Sequence, residues 1–254
     1  LKGLRIFSDL NGRSYDDLPP KFKSVISTRP TLRSLIILRQ SDRDIKFEVF
    51  KRLNTGGIRL NAQEIRNSTY PGPLNDLILK LSQDRFFHEL LRVKNQKNSR
   101  IWREMRDAEF VLRFFTFREN WAQFDGGMMN HLDRFMQENQ RVNEPRLRAM
   151  ERDFLSTLQT VGAAFGEYAF RRWQKDKQTW RKQVLAALYD AQMFACRKLD
   201  RVQVREKRNK ILKGLKALFA NDEFRRSIDS ATNTPNYFRH RIGCVRNVVR
   251  QSLG

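Results

Sequence analysis

Six apolar residues, Leu147, Met150, Phe154, Leu158, Val161 and Phe165, follow one another at steps of 3, 4, 4, 3 and 4. Only an α-helix brings such positions onto one face, and a face of that length has to be buried against other helices. The same spacing recurs in Val184, Leu188, Ala191, Ala195 and Leu199, in Ile211, Leu215 and Leu218, and in Phe238, Ile242, Val245 and Val249. Phe110, Val111, Phe114, Phe115 and Trp121 imply a helix that is apolar over much of its circumference, which suits the centre of a core better than the wall of a cofactor site. Nineteen phenylalanines supply large rings for that core, and 12 glycines and 7 prolines in 254 residues leave few interruptions. The expected fold class is mainly α, ending in a helical bundle.

The N-terminal part reads differently. Asn11-Gly12 marks a tight turn. Pro19-Pro20 opens a short amphipathic helix through Phe22, Val25 and Ile26. Leu35-Ile36-Ile37-Leu38 reads as one buried strand, so strand is expected mainly in the first 40 residues. Ile45, Val49 and Leu53 then start a helix that Thr55-Gly56-Gly57 stops. Asn61 and Glu64 have the spacing of a capping box, predicting a second helix from Asn61 to about Tyr70, closed by Pro71-Gly72-Pro73. Asp125-Gly126-Gly127 should close the phenylalanine-rich helix. A polar stretch at 137–145, ending in the helix start Asn143-Glu144-Pro145, suggests a boundary between a small α/β part over 1–140 and a basic helical domain over 141–254.

Charge constrains the partner. Fifty Lys and Arg face 28 Asp and Glu, a net +22. From Arg171 onward, 21 basic residues face only 7 acidic ones. Such a surplus repels itself in the compact state, and a polyanion, here DNA, is the expected partner; the plainer reading is a solvated basic surface. The basic helices carry phenylalanine on their apolar faces, which fits a core and not an interfacial anchor, and no apolar run approaches the roughly 18 residues of a membrane span. Cys196 and Cys244 are too few and too far apart for a disulfide framework or a zinc site, and with no signal peptide the expected location is the cytoplasm. Lys207, Lys210, Lys213 and Lys216 occupy polar positions of one predicted helix. On the last helix Arg239, Arg246 and Arg250 share a face, with Arg241 nearer its edge. These four, together with Lys51, Arg52 and Arg59, are the expected nucleic-acid contacts.

Catalytic motifs are scarce. The sequence has no phosphate loop and no dinucleotide fingerprint, and His88, His131 and His240 occur singly, without the spacing of metal ligands. Asp44-Ile45-Lys46 imitates part of a metal-dependent nuclease motif but falls at a predicted helix start, where an acid favours the dipole. No catalytic or metal residue is assigned. The stretch 47–70 is the exception in character: a helix, a glycine turn and a capped helix, whose free N–H groups can receive an anion. Asn54, Thr55, Gly56, Gly57, Gln63, Glu64, Arg66 and Asn67 are the expected nucleotide or phosphate contacts, against the simpler alternative of a helix stop followed by a cap.

Leu53-Asn54-Thr55-Gly56-Gly57, Leu60-Asn61 and Gln63-Glu64-x-Arg66-Asn67 closely resemble the signature of the GmrSD restriction-endonuclease N-terminal domain family (domain of unknown function 262). Tyr15-Asp16-Asp17-Leu18-Pro19, Arg106-Asp107-x-Glu109-x-Val111-Leu112-Arg113-Phe114-Phe115, Leu132-Asp133-x-Phe135-Met136 and Phe238-Arg239-x-Arg241-Ile242 are similar to it as well. The resemblance implies a fold related to the ParB and sulfiredoxin group, and a role in prokaryotic restriction or anti-phage defence. NTP hydrolysis, with Mg, would be coupled there to DNA recognition or cutting in the complete protein. The family's Asp-Gly-Gln-Gln-Arg segment is not in this sequence, so its NTPase motif is expected upstream of this chain, on a separate N-terminal segment or alongside a nuclease subunit; self-association is also compatible. The competing expectation is a non-enzymatic helical adaptor that docks an acidic protein partner.

Overall fold

The computed structural model describes residues 3–4, 6–28 and 60–254. The chain divides into two units, Leu1–Asp42 and Arg43–Gly254. The strand expected at Leu35 to Leu38, the helix through Ile45, Val49 and Leu53, Asp44-Ile45-Lys46 and the Thr55-Gly56-Gly57 turn lie outside the described residues.

In the first unit the chain turns at Asn11-Gly12 as expected, with Arg13 N donating to Leu10 O (3.3 Å), and the Asn11 side chain reaches back to donate to Leu4 O (3.0 Å) and accept from Leu4 N (2.9 Å). Helix α1 (Pro20–Thr28) follows with proline in its first turn, where the missing N–H costs nothing. Its apolar residues Val25 and Ile26 are exposed, so the amphipathic stripe is there but no residue of the helix is buried.

The second unit is helical almost throughout. Helix α2 (Ala62–Thr69) starts on the predicted capping box: Asn61 Oδ1 accepts from Gln63 N and Glu64 N, and Asn61 N donates to Glu64 Oε2 (2.6 Å). Pro71-Gly72-Pro73 is both a stop and a start, since α3 (Pro73–Ser82) begins at its last residue. Gly72 has φ +141°, and a Cβ there would stand 2.9 Å from Gln140 O, so the close approach of this turn to residue 140 requires glycine. Helices α4 (Arg85–Leu91), α5 (Arg100–Arg103), α6 (Arg106–Phe117), α7 (Met128–Asn139) and α8 (Glu144–Phe165) follow. A hairpin of β1 (Arg171–Gln174) and β2 (Thr179–Val184) precedes α9 (Ala186–Cys196), α10 (Arg201–Glu206), α11 (Arg208–Leu218), α12 (Asp222–Asp229) and α13 (Pro235–Leu253).

Helix α8 carries the six-residue stripe as expected, with Asn143 accepting from Arg146 N at its start. Phe154 from that stripe meets Phe87, Phe114 and Phe115 at centroid distances of 5.4, 5.5 and 6.1 Å, in the edge-on geometry aromatic rings prefer. Gly162 leaves a notch on the same helix into which Phe86 packs; a Cβ would lie 2.4 Å from its ring. Helix α6 is apolar nearly all round and central, as its composition predicts, but it ends at Phe117. Trp121 stands beyond it in a short 3₁₀ turn, Trp121–Gln123. Helix α9, buried from Ala187 to Cys196, packs against α6, α8 and α13. One core runs from Tyr70 to Val249, so residues on both sides of position 140 share it.

The hairpin corrects the expectation that strand is confined mainly to the first 40 residues. Its strands pair antiparallel, Trp173 opposite Trp180 and Gln174 opposite Thr179, with an irregularity between Arg171 and Trp173. Val184 closes β2 and does not belong to the helix through Leu188; Leu199 lies past the end of that helix. Cross-strand packing of two tryptophans outweighs the helical spacing that Val184 happens to share with Leu188.

Candidate nucleic-acid interface

Helices α10 and α11 form a cationic ridge. Over 201–218 the chain carries Arg201, Arg205, Lys207, Arg208, Lys210, Lys213 and Lys216 against one acid, Glu206. Ile211 and Leu215 are buried, which turns the opposite side of α11 outward, and all four lysines are exposed. Spaced by three residues, the lysines rise about 4.5 Å at each step along the helix. No carboxylate of the described residues lies within 4 Å of any of these seven cations. Lys210 Nζ donates to Gln251 O (3.0 Å), linking the ridge to the end of α13, and Lys216 Nζ sits 4.0 Å from the centre of the Trp173 ring. The β-hairpin thereby extends the surface, with Lys175, Lys177, Arg181 and Lys182 exposed beside a single acid, Asp176.

The arginines of α13 separate into three environments. Its apolar residues Phe238, Ile242, Val245 and Val249 are buried, as their spacing predicts. Arg239 is half-buried and held by Phe124 O and Asn236 Oδ1, both at 3.0 Å. Arg246 lies over the Trp121 ring at 5.7 Å, and Arg250 is exposed. Arg241 requires a correction. It is fully buried, donating to Ala187 O (3.1 Å), Ser227 O (3.3 Å), Thr232 O and Asp190 Oδ2 (3.2 Å), and in this fold it has no surface to offer DNA.

Asp190, which sequence reasoning missed, receives a second guanidinium. Arg113 of α6 donates to both its oxygens, at 3.0 and 2.5 Å, and lies 3.7 Å from Glu109. Burial works against the charge on Arg113, but Asp190 more than offsets it, and its pKa is raised. For Arg241 burial wins over Asp190 and lowers the pKa. A signal was available: Asp190 and Gln192 interrupt an otherwise apolar helix, and a buried carboxylate needs a partner. Gln192 Oε1 accepts from Phe170 N (2.7 Å).

Of the expected nucleotide contacts and their neighbours, Asn54, Thr55, Gly56, Gly57, Lys51, Arg52 and Arg59 lie outside the described residues. The remaining four are tied internally. Glu64 completes the α2 cap, and Asn67 Oδ1 accepts from Asn75 (2.7 Å). Arg66, expected at the border of a ligand, is buried and donates to Asp133 Oδ1 (2.6 Å) and to the equally buried Gln63 (3.2 Å). The structure thus joins segments that are far apart in sequence: Arg66 to Asp133, and Arg113 to Arg241 through Asp190.

The histidines are individually satisfied: His88 Nε2 donates to buried Asp107 (3.1 Å), and His131 Nε2 to Asp125 (2.7 Å). Cys196 is buried, which raises its thiol pKa far beyond the ordinary range. Among the described residues no group of three or more His, Cys, Asp or Glu is arranged to hold a metal ion, and no helix is long and apolar enough to cross a membrane. No family model, no curated protein and no solved structure matches this chain.

Proposed function

We propose that this chain is the nucleic-acid-binding part of a prokaryotic restriction or anti-phage defence protein. In this reading 60–70 closes a ParB-like nucleotide-sensing element, and NTP hydrolysis depends on a motif outside the chain. The resemblance carried by residues 53–67 supports the biological setting. The observation that supports polyanion binding is the ridge over 201–218, with seven cations, one acid and no ion pair among the described residues. A nucleic acid carries a layer of condensed cations, and lysines or arginines that neutralise its phosphates release those ions with a gain in entropy. Lysines on a helix face supply point charges without base-edge geometry, so the contacts fix position and carry little sequence information.

Replacing Lys207, Lys210, Lys213 and Lys216 by Gln together tests this. Up to four lost phosphate contacts should flatten the slope of log affinity against log salt by about 3.6, while the cooperative melting transition is retained with only a small loss of stability from the Lys216 and Lys210 contacts. At low salt, duplex affinity should fall by more than tenfold, read by fluorescence anisotropy with a labelled oligonucleotide. Unchanged affinity and slope would exclude the ridge. Binding of an acidic polypeptide at fixed stoichiometry, with no duplex binding, would establish the helical adaptor instead.

A further inference from the structure

A second cationic feature differs from the ridge in being concave. A cleft of about 380 Å³ opens between the Trp121–Gln123 turn, the C-terminal end of α9 and one side of α13. Arg118, Arg197, Lys198, Arg246 and Arg250 line it, with Glu119 as the one lining acid. Behind the wall, Asp153 accepts from Arg197 Nε through both oxygens at 3.0 Å. Arg197 is fully engaged, since its other nitrogens donate to Arg118 O (2.9 Å) and Glu119 (2.5 Å). Arg118 is not. Its Nε and Nη1 are buried without a hydrogen bond, and its nearest carboxylate oxygen, from Asp153, stands 3.4 Å from Nε. Burial lowers the Arg118 pKa, Asp153 opposes that, and neighbouring Arg197 adds to it. Lys198, Arg246 and Arg250 have no carboxylate of the described residues within 4 Å.

Cations also gather at helix C-termini for structural reasons, and α6 and α9 both end here, at Arg118 and Arg197. Each terminus is equivalent to roughly half a negative charge. Two termini, Glu119 and Asp153 together offset about three of the five cations, leaving a surplus of about two. The surplus is concentrated in Lys198, Arg246 and Arg250, which line the cleft with no carboxylate of the described residues beside them. A volume of this size matches a small ligand and excludes the side of a duplex.

We infer that this cleft binds the dianionic phosphate monoester of a nucleotide, either free or at the end of a nucleic-acid strand. Arg246, placed over Trp121, and Arg250 reach it from α13 beside Lys198, and the charge of Arg118 in the wall adds attraction without direct contact. The site is distinct from the ridge and does not depend on the ridge binding DNA.

The test compares 5′-phosphorylated and 5′-hydroxyl forms of one short single strand, titrated against the full chain and against a Lys198→Gln/Arg250→Gln double variant. Both substituted residues are exposed, and a melting curve verifies the fold. The phosphorylated strand should bind about tenfold tighter, and the preference should vanish in the variant. A nucleoside 5′-monophosphate that abolishes the preference at concentrations well below those needed for inorganic phosphate identifies the free nucleotide as a sufficient ligand. Competition by the strand alone identifies the strand end. Equal binding of the two strands, or a preference that survives the double variant, overturns the inference. Duplex binding and its salt slope, read separately on the ridge variant, report on the first proposal alone.

Discussion

Arg113 and Arg241 on one side, and the cations of α10 and α11 on the other, show two opposite uses of positive charge in one chain. The first pair is sealed inside the core around Asp190, with every guanidinium direction taken by a carboxylate or a carbonyl. The second set lies at the surface with no carboxylate of the described residues within 4 Å, held only by the Lys210 bond to Gln251 O and the Lys216 contact with Trp173. A net charge of +22 does not distinguish them, because it counts a structural arginine and a ligand-seeking lysine alike. What distinguishes them is whether the chain supplies an acceptor. Where Asp190 sits at the centre, arginine joins helices; where only Glu206 accompanies seven cations, the described residues supply no carboxylate partner.

The contrast breaks most visibly at its buried end. Asp190→Ala leaves two guanidiniums in the core without their shared carboxylate, and should cost about 3–5 kcal/mol in urea unfolding. A loss under about 1 kcal/mol would mean that the backbone carbonyls alone hold Arg241, and the distinction between sealed and free arginines would lose its force. At the exposed end the effect on folding should be far smaller. Lys216→Gln removes only a contact with the Trp173 face, worth about 0.5–1 kcal/mol, while its share of the salt slope should fall by about 0.9. Equal changes in stability for Asp190→Ala and Lys216→Gln would contradict the comparison directly.

Arg197 and Glu119 occupy the middle ground, and their effect should be the smallest. The hydrogen bond from Arg197 holds the Glu119 carboxyl below its usual pKa of 4.5. A depressed carboxyl pKa stabilises the fold above the unfolded-state value, and that contribution disappears as pH falls through the folded value. Melting temperatures of the parent and Glu119→Gln should therefore differ slightly at neutral pH and converge as the pH falls from 4.5 through the lowered folded-state value. A gap that widens on acidification would assign the cluster another role.

The helical architecture was legible because burial leaves a periodic trace. The stripe on α8, the cap at Asn61 and the start at Asn143 each rest on local spacing that tertiary contacts reinforce. The hairpin was hidden by Val184, which fits the helical spacing of the residues after it. The useful signal lay in Trp173 and Trp180 flanking the polar run Lys175-Asp176-Lys177-Gln178. At the candidate site, spacing placed Arg239, Arg246 and Arg250 on α13 but could not say which of its arginines points inward. Arg241 is drawn in by Asp190, 51 positions away, and no local pattern encodes that pairing. The cleft was invisible for the same reason, since its cations come from α6, α9 and α13 and meet only in the folded chain.

The position of Asp190 also bears on how the protein emerges from the ribosome. Arg113 and Asp190 can meet once α9 has left the exit tunnel, but Arg241 and its helix follow about fifty residues later. Until then Phe117, Phe124 and Phe194 lack Phe238 of α13, against which all three pack, and the nascent bundle exposes a phenylalanine-rich seam. Domains fold as units during translation, so this topology defers completion of the core until α13 has emerged and places the window of greatest aggregation risk just before it arrives.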